Sequence, residues 1–332
     1  IMYPLFKVSG KGSFVFAMSV TSGYPVGANL ISNLRKENSI TKVEAQRLIS
    51  FCSTSGPLFV IATVSVGMLQ NAETGPLLLI SHYLGAISVG FIFRFYSSDN
   101  SIQLSSVKTN YLKKCLNTLF SFKDRKFKPL TILINNSITS SFNSIVIVGG
   151  FIIIYSVVIK ILSITNVTNY VSNFLISVLP INLDFSLLNS FLSGLIELTN
   201  GCQGVSNLSL DIIVKLCAIS FLIGWGGLSV HSQAMSFLSD IDISKSLYLV
   251  SKVLHGIFSS IYTYLFYILF FKNKIDSVSA STIPATSIHL TDFLSTLKFS
   301  TKLMITVAVT TIILSLIYGL FYNIKLHINR QL

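Results

Sequence analysis

The stretch SVTSGYPVGANLISNLRK, residues 19–36, places two glycines and a proline inside a long apolar region. Gly23, Pro25 and Gly27 lie within five residues of one another. Glycine permits backbone conformations that other residues avoid, and proline lacks an N–H group and clashes with the carbonyl four residues earlier. We therefore predict a helix break here, rather than a simple kink against a neighbouring helix. The half-helix that follows, starting at residues 26–28, would present free N–H groups and a positive dipole end that suit an anion.

The composition around this stretch is that of a membrane protein. Of 332 residues, 51% are hydrophobic and only 11% are charged, and the mean hydropathy is +0.71. A soluble domain carries charge on about a quarter of its residues. The net charge of +12 fits the lysine and arginine that collect in cytoplasmic loops, so no nucleic-acid partner is predicted. The four cysteines occur singly and without the spacing of metal ligands, so we predict packing roles for them and neither a metal nor a cofactor.

Apolar runs of about 20 residues indicate membrane crossings. Six stretches approach this length, namely residues 55–70, 76–96, 142–163, 212–237, 246–271 and 303–324. Two more apolar regions, residues 13–34 and 185–205, are interrupted near their middles by glycine and polar residues. We interpret these two as segments that enter the bilayer and turn back.

The distribution of basic residues orients the crossings. Residues 98–128 carry seven basic residues against two acidic ones, whereas residues 165–214 contain no lysine or arginine. The basic loop is therefore predicted to be cytoplasmic, as is the basic stretch 35–53. Both flanks of residues 13–34 are basic, which predicts a re-entrant segment with its two ends on the cytoplasmic side. Residues 185–205 are predicted to enter from the opposite side.

A re-entrant segment followed by two crossings thus occurs once from each side, which is the pattern of an inverted repeat around a midplane site. We predict an all-α polytopic membrane protein with two inverted repeats, each a re-entrant helical hairpin followed by two transmembrane helices. The predicted parts are a first repeat at 1–97, a basic cytoplasmic linker with an amphipathic helix at 98–141, a transmembrane helix at 142–164, a second repeat at 165–271, and a loop with a C-terminal transmembrane helix at 272–332.

A second Gly-Pro interruption occurs in FCSTSGPLFV, residues 51–60, after Ser55 and at Gly56. Serine before proline is typical of a helix N-cap. In a transporter the same helix N-terminus can also face the ligand. The sequence leaves both interpretations open.

The stretch LSGLIELTNGCQG, residues 192–204, contains one acidic residue, Glu197. A charge at membrane depth costs about 2.5–3.5 kcal/mol, so such a residue normally faces a cavity, a proton path or a partner. Glu197 follows Gly194 by three positions and precedes Gly201 by four, which predicts that it lies on the small-residue face of its helix. Its candidate roles are proton carrier, cation ligand or acceptor for the substrate, and the alternative is a cap at the helix break.

The stretch IGWGGLSVHSQAM, residues 223–235, is the fourth motif. Helical spacing predicts two faces, formed by Gly224, Gly227 and His231 and by Trp225, Ser229 and Gln233. The glycines permit close helix approach, and His231 and Gln233 need polar partners at this depth. His255, on the next predicted helix, is a candidate partner, whereas His82 is predicted to lie at the interface or to serve packing.

Taken in order, these motifs resemble one known family. They are SGYPVGA, KVEAQRLISFCSTSGPLF, GGF at 149–151, GLIELTNG and GWGGLSVHSQ, and they span most of residues 1–270. The resemblance is to the YlbJ/SpoVV sporulation integral membrane proteins of endospore-forming bacteria, which carry paired nucleoside-recognition Gate domains. It implies transport of dipicolinic acid from the mother cell across the outer forespore membrane, and an N-terminal segment that this chain lacks.

The function predicted from residues and resemblance together is transport of a small aromatic dicarboxylate, foremost dipicolinic acid, by alternating access around a midplane site. The predicted substrate-binding residues are Ser22, Gly23, Tyr24, Pro25, Gly27, Ser55, Gly56, Glu197, Thr199, Asn200, Gly201, Gly227, Ser229, His231 and Gln233. This set offers helix N-termini and Ser, His and Gln donors rather than a buried pair of lysine or arginine residues.

Three questions stay open at this stage. Glu197 would repel a dianion unless it is protonated or paired with a metal ion, which suggests coupling to a proton or cation. The alternative functions are a nucleoside or other organic-solute permease and a non-transporting scaffold of the spore envelope. No nucleophile, base and orienting group occur at suitable spacing, so an enzyme is not predicted, and the oligomeric state is undetermined.

Overall fold

The computed structural model describes residues 2–97, 130–178 and 184–280. Within these ranges the chain is helical and contains no strand. The chain divides into two compact units, Ile1–Ser279 and Ala280–Leu332, and nearly all the described residues belong to the first. The predicted basic loop at 98–128 and the predicted crossing at 303–324 lie outside the described residues.

The helices of the described ranges are numbered in chain order. They are α1 (Met2–Phe6), α2 (Lys11–Ser22), α3 (Val26–Lys36), α4 (Lys42–Phe51), the π-helix π1 (Leu58–Met68), α5 (Thr74–Phe93), α6 (Leu130–Ile164), α7 (Val167–Val178), α8 (Phe185–Ile196), α9 (Leu198–Ser206), α10 (Ile212–Trp225), α11 (Gly227–Leu238), α12 (Lys245–Phe266), the short π-helix π2 (Tyr267–Phe271) and α13 (Lys272–Ala280).

Four helical stretches in the described ranges are long and apolar enough to cross a bilayer. They are Thr74–Phe93, Ile134–Ile164, Ile212–Leu238 and Lys245–Asp276. Each overlaps a predicted crossing, and the chain is an all-α polytopic membrane protein. The predicted amphipathic helix is continuous with its crossing in α6, whose 35 residues extend roughly 50 Å and so exceed the ~30 Å hydrocarbon core.

The predicted break in residues 13–34 is confirmed. Helix α2 ends at Ser22, Gly23 takes a positive φ of 76°, and α3 begins at Val26. The outer ends of α2 and α3 lie together, since Lys11 Nζ donates to the Ser39 carbonyl at 3.1 Å. These two helices form a hairpin, which we call the first hairpin.

The second interrupted region is also a hairpin, formed by α8 and α9. Its turn is the single extended residue Glu197, with φ −137° and ψ 119°. A Cβ atom on Gly201 would lie 2.0 Å from Cα of Gly194, so the two helices approach with backbone in contact. The sequence prediction placed Glu197 on one helical face with these glycines. That prediction is wrong, because the glycines face each other across the hairpin and Glu197 forms its turn.

Residues 55–70 were predicted to cross the membrane as one helix, and this prediction is wrong. The helix in this region is π1, which is only 11 residues long. It follows α4, whose Glu44–Phe51 segment is wholly buried inside the protein, and α4 forms most of the second half of the stretch 35–53 that the sequence places on the cytoplasmic side. Helix α4 starts there because Thr41 and Glu44 form a capping box, and Glu44 Oε1 also accepts from the Ser9 N–H at 2.6 Å.

The crossing at 212–237 is present but contains a break that the sequence did not predict. Gly226 and Gly227 have φ values of 93° and 78°, which end α10 and start α11. The predicted continuous helical faces of this motif therefore do not exist. Each hairpin is followed by a helix broken near its middle and then by a long helix, α5 or α12.

Two apolar cores show how the broken helices run. One core joins the first hairpin and α4 with the α11–α12 junction and includes Ile31, Leu48 and Tyr248. The other joins π1 with α9 and α10 and includes Val60 and Leu216. Because α4 packs near the end of α11 whereas π1 packs near α10, the two broken helices run in opposite directions and their breaks lie side by side.

Candidate functional site

The four breaks in the helices surround one cavity of about 310 Å³, which is at the small end of small-molecule sites. Its walls come from both hairpins, both broken helices and α6. The lining residues are Thr21, Ser22, Gly23, Tyr24, Ser55, Gly56, Leu58, Phe59, Val148, Ile152, Glu197, Leu198, Thr199, Ser229, Val230 and Gln233.

Two of the breaks touch directly. A Cβ atom on Gly23 would lie 2.6 Å from the backbone nitrogen of Gly56. Since Gly23 also has a positive φ, a side chain at this position would be both strained and obstructed. The tip of the first hairpin thus closes against the break between α4 and π1, and both present backbone to the cavity.

Side chains satisfy the carbonyl groups that the breaks release. The pairs are Ser53 O with Lys252 Nζ at 2.5 Å, Ser55 O with Tyr83 Oη at 3.2 Å, Ile223 O with Tyr24 Oη at 3.2 Å and Leu195 O with Trp225 Nε1 at 3.0 Å. Unpaired backbone groups cost several kcal/mol in hydrocarbon, so broken helices persist in membranes only where protein or water meets them.

Glu197 both lines the cavity and caps a helix. It is 2% exposed, and its carboxylate oxygens accept from the N–H groups of Thr199 at 3.0 Å and Asn200 at 2.7 Å. Glu197 therefore caps the N-terminus of α9, which is the alternative that the sequence left open. Its predicted role toward a substrate or ion stays a prediction.

The polar groups of α11 are held at and behind the cavity wall. Ser229 lines the cavity, and its buried Oγ has no hydrogen-bond partner among the described residues. His231 lies behind the wall, where its Nδ1 is 3.2 Å from Tyr248 Oη and its ring packs edge-on against Trp225. The Ser229 hydroxyl is thus a buried polar group at the cavity wall without a partner among the described residues.

The sequence reasoning missed a buried cation, Lys252 on α12. Its side chain is fully buried and donates to Ser53 O, to Tyr24 Oη at 3.2 Å and to His255 Nδ1 at 3.0 Å. The sequence predicted no buried pair of lysine or arginine residues at the site, and this one lysine was not singled out. A lone lysine inside the apolar stretch 246–271 was the signal that could have identified it.

Two further histidines lie near the breaks. His82 was predicted to lie at the interface or to serve packing; it is fully buried, and its Nε2 accepts from the Ser55 N–H at 2.9 Å. His255 was a candidate partner of His231 and Gln233. Instead its Nε2 donates to the His82 carbonyl at 2.8 Å and its Nδ1 accepts from Lys252.

The structure brings together most of the predicted substrate-binding residues. Those that line the cavity are Ser22, Gly23, Tyr24, Ser55, Gly56, Glu197, Thr199, Ser229 and Gln233. Those outside the lining are Pro25, Gly27, Asn200, Gly201, Gly227 and His231. Gly27 instead abuts the carbonyl of Cys52, and Asn200 Nδ2 donates to Ser156 Oγ on α6 at 3.0 Å.

A second, polar groove of about 580 Å³ lies nearer the start of α6 than the cavity does. It is lined by Asn29, Asn135, Asn136, Thr139, Ser140, Asn143, Ser144, Ile147 and Phe237. Ile147 of this groove is adjacent in sequence to Val148 of the cavity. The amide and hydroxyl groups of α6 therefore lead toward the cavity from the end of the molecule where α6 begins.

Comparison with known proteins gives one curated match. The chain is 37% identical over 272 residues to the sporulation integral membrane protein YlbJ of Bacillus subtilis strain 168. The match covers 80% of this chain and 66% of the relative's length. No family model matches the chain. No solved structure matches it either.

Proposed function

This chain belongs to the family of the sporulation integral membrane protein YlbJ, and we propose that it is a membrane transporter for a small aromatic dicarboxylate. Dipicolinic acid is the foremost substrate, carried from the mother cell toward the forespore across the outer forespore membrane. The observation that carries this proposal is the meeting of four helix breaks around one cavity.

Helix breaks at membrane depth are typical of secondary transporters, in which discontinuous helices supply backbone groups to a midplane site. Here the hairpin, broken helix and long helix occur in the same order twice, and the two broken helices run in opposite directions. This arrangement supports two inverted repeats that move against each other around the cavity. A scaffold would gain nothing from leaving unfilled space between broken helices, since packing is what stabilises helix contacts in lipid.

The lining suits a small planar acid. The Ser229 hydroxyl is free to donate, and the backbone at Gly23 and Gly56 approaches the cavity without side chains. Apolar walls from Phe59 and Ile152 fit the faces of an aromatic ring. The polar groove along α6 supports a wet route between this cavity and one side of the membrane.

The test is uptake of labelled dipicolinate by vesicles that contain the purified chain, with unlabelled nucleosides as competitors. We expect saturable uptake above that of protein-free vesicles, insensitive to nucleosides. Uptake of a labelled nucleoside in a parallel assay, without uptake of dipicolinate, would assign a nucleoside permease instead. Background uptake of both solutes by folded protein would contradict transport and favour the scaffold.

The same uptake assay with two variants tests the role of Glu197. Glu197→Gln keeps the size of the side chain and one acceptor oxygen but removes the charge, so we expect uptake to fall at normal protein level. Gly150→Ala is the matched control, because nothing lies within 4 Å of a Cβ atom at this position of α6. A pH or sodium gradient applied to the wild-type vesicles identifies the coupling ion, and a fluorescent fusion in sporulating cells tests the location.

A further inference from the structure

The buried Lys252 is unusual in having no acidic partner. Its side chain is fully buried within a predicted membrane span, and no carboxylate oxygen of the described residues lies within 4.0 Å of its Nζ atom. Ionisable residues at this depth are costly and are retained mainly where they serve a substrate or an ion. An ion pair therefore does not explain why a lysine is buried at this position.

The three hydrogen bonds of the ammonium group all go to neutral acceptors. These are the Ser53 carbonyl, the Tyr24 hydroxyl and Nδ1 of His255. His255 donates through Nε2 to the His82 carbonyl, so its Nδ1 carries the lone pair that faces Lys252. The surrounding network orients the ammonium group, and none of these three acceptors carries a negative charge.

This charge lies directly behind the cavity wall. Tyr24 lines the cavity, and Lys252 Nζ is 3.2 Å from its hydroxyl and 5.3 Å from its ring centroid. Ser53 precedes the lining residues Ser55 and Gly56 by two and three positions. In a water-poor interior a charge one side chain away acts with little screening, so a ligand in the cavity experiences it.

We propose that Lys252 is the positioning residue that makes this cavity select a carboxylate-bearing solute over a neutral one, acting through its charge from behind Tyr24 without touching the substrate. The Tyr24 hydroxyl accepts from Lys252 and donates its one proton to the Ile223 carbonyl, so it holds the ammonium group in place behind the cavity wall. The same charge offsets Glu197, whose two oxygens are already engaged by the N–H groups of Thr199 and Asn200. With the charges of Lys252 and Glu197 offset in this way, an anionic substrate enters a site that does not repel it.

The experiment measures binding of two probes to the purified full chain in detergent, by calorimetry. The probes are dipicolinate and pyridine-2,6-dicarboxamide, its neutral analogue of similar shape. For the wild type we expect dipicolinate to bind at least ~10-fold more tightly, which corresponds to about 1.4 kcal/mol. Lys252→Met should lose this preference, and Lys252→Arg should keep it.

The control variant is Lys215→Met. Lys215 is a partly buried lysine whose Nζ donates to the Ser206 carbonyl at the end of α9 and to the Leu208 carbonyl just after it, and it does not line the cavity. The Lys215→Met protein should keep the wild-type preference. Should Lys252→Met fail to fold, Lys252→Gln removes the charge but keeps an N–H donor for the Ser53 carbonyl, and the same loss of preference is expected.

The inference rests on the proposed function, yet the two fail separately. A folded Lys252→Met protein that still prefers dipicolinate overturns the role of Lys252, even when vesicle uptake is normal. A folded Lys252→Gln protein with the full preference overturns it as well. If Lys252→Met loses the preference but the wild-type protein shows no vesicle uptake, the role of Lys252 is supported and transport is refuted.

Discussion

Gly201→Ala should break the close contact that forms the second hairpin. A Cβ atom here would lie 2.0 Å from Cα and 2.6 Å from the backbone nitrogen of Gly194, against an ordinary contact of 3.4–4 Å. These neighbours are backbone atoms, so no side-chain rotation relieves the overlap and the two helices must separate by more than about 1 Å. Overpacking of this kind costs about 3 kcal/mol, which exceeds the ~1 kcal/mol that alanine gains over glycine in a helix.

The assay is thermal unfolding of the purified protein in detergent, followed by the loss of the monodisperse peak in gel filtration. The net loss is therefore about 2 kcal/mol, and at about 2–4 °C per kcal/mol we expect a fall in Tm of roughly 4–8 °C. The control is Gly150→Ala, where open space predicts no loss and the helix-propensity gain applies. Equal melting temperatures for Gly201→Ala and the wild type would refute the backbone contact, and with it the placement of Glu197 in the turn.

Two further predictions concern the end of the molecule where the first hairpin opens. The Gln46 side chain exchanges hydrogen bonds of 2.7 and 3.2 Å with the backbone of Ser244. Gln46→Ala should therefore lower the free energy of unfolding by about 1–3 kcal/mol. Denaturant unfolding measures this change, and the control Gln203→Ala should change the free energy little. Arg35 donates to both carboxylate oxygens of Asp242 at 2.8 and 3.1 Å, which lowers the pKa of Asp242. The pair therefore contributes its full stability above the ordinary pKa of aspartate, near 3.9, and this stability is lost as the pH falls through the lowered pKa. Because the pair is exposed, a double-mutant cycle at pH 7 should give a coupling energy of about 0.2–1 kcal/mol. A coupling energy that grows as the pH falls below 4 would contradict the ion pair.

Local chemistry was enough to predict both hairpins. Glycine and proline at positions 23 and 25 restrict the backbone whatever surrounds them, and the basic flanks of residues 13–34 predict that its ends share one side. The membrane class and the long helices α5, α6 and α12 likewise follow from runs of apolar residues, because hydrocarbon imposes a length and a polarity on every crossing.

The break at Gly226 was not predictable in the same way. A GG pair inside an apolar helix is as compatible with close packing of a continuous helix as with a break, and only the neighbours decide. At Gly227 a side chain would meet the Leu198 nitrogen and the Gly194 and Ile196 carbonyls of the second hairpin. Likewise the polar segment Glu44–Phe51 gives no local sign of burial, yet it is buried because backbone N–H groups of Ser9, Thr41 and Ser244 donate to its Glu44 and Gln46 side chains.

The sequence by itself determined that this chain is a membrane protein, that residues 13–34 and 185–205 are interrupted, and that both ends of the first hairpin share a side. These features depend on each residue's own backbone freedom and on its solubility in lipid. The tertiary structure decided that the four interruptions meet in one place, and that Lys252 stands behind them. Those outcomes depend on contacts between residues about 200 positions apart, such as Ser53 and Lys252, which no local preference encodes.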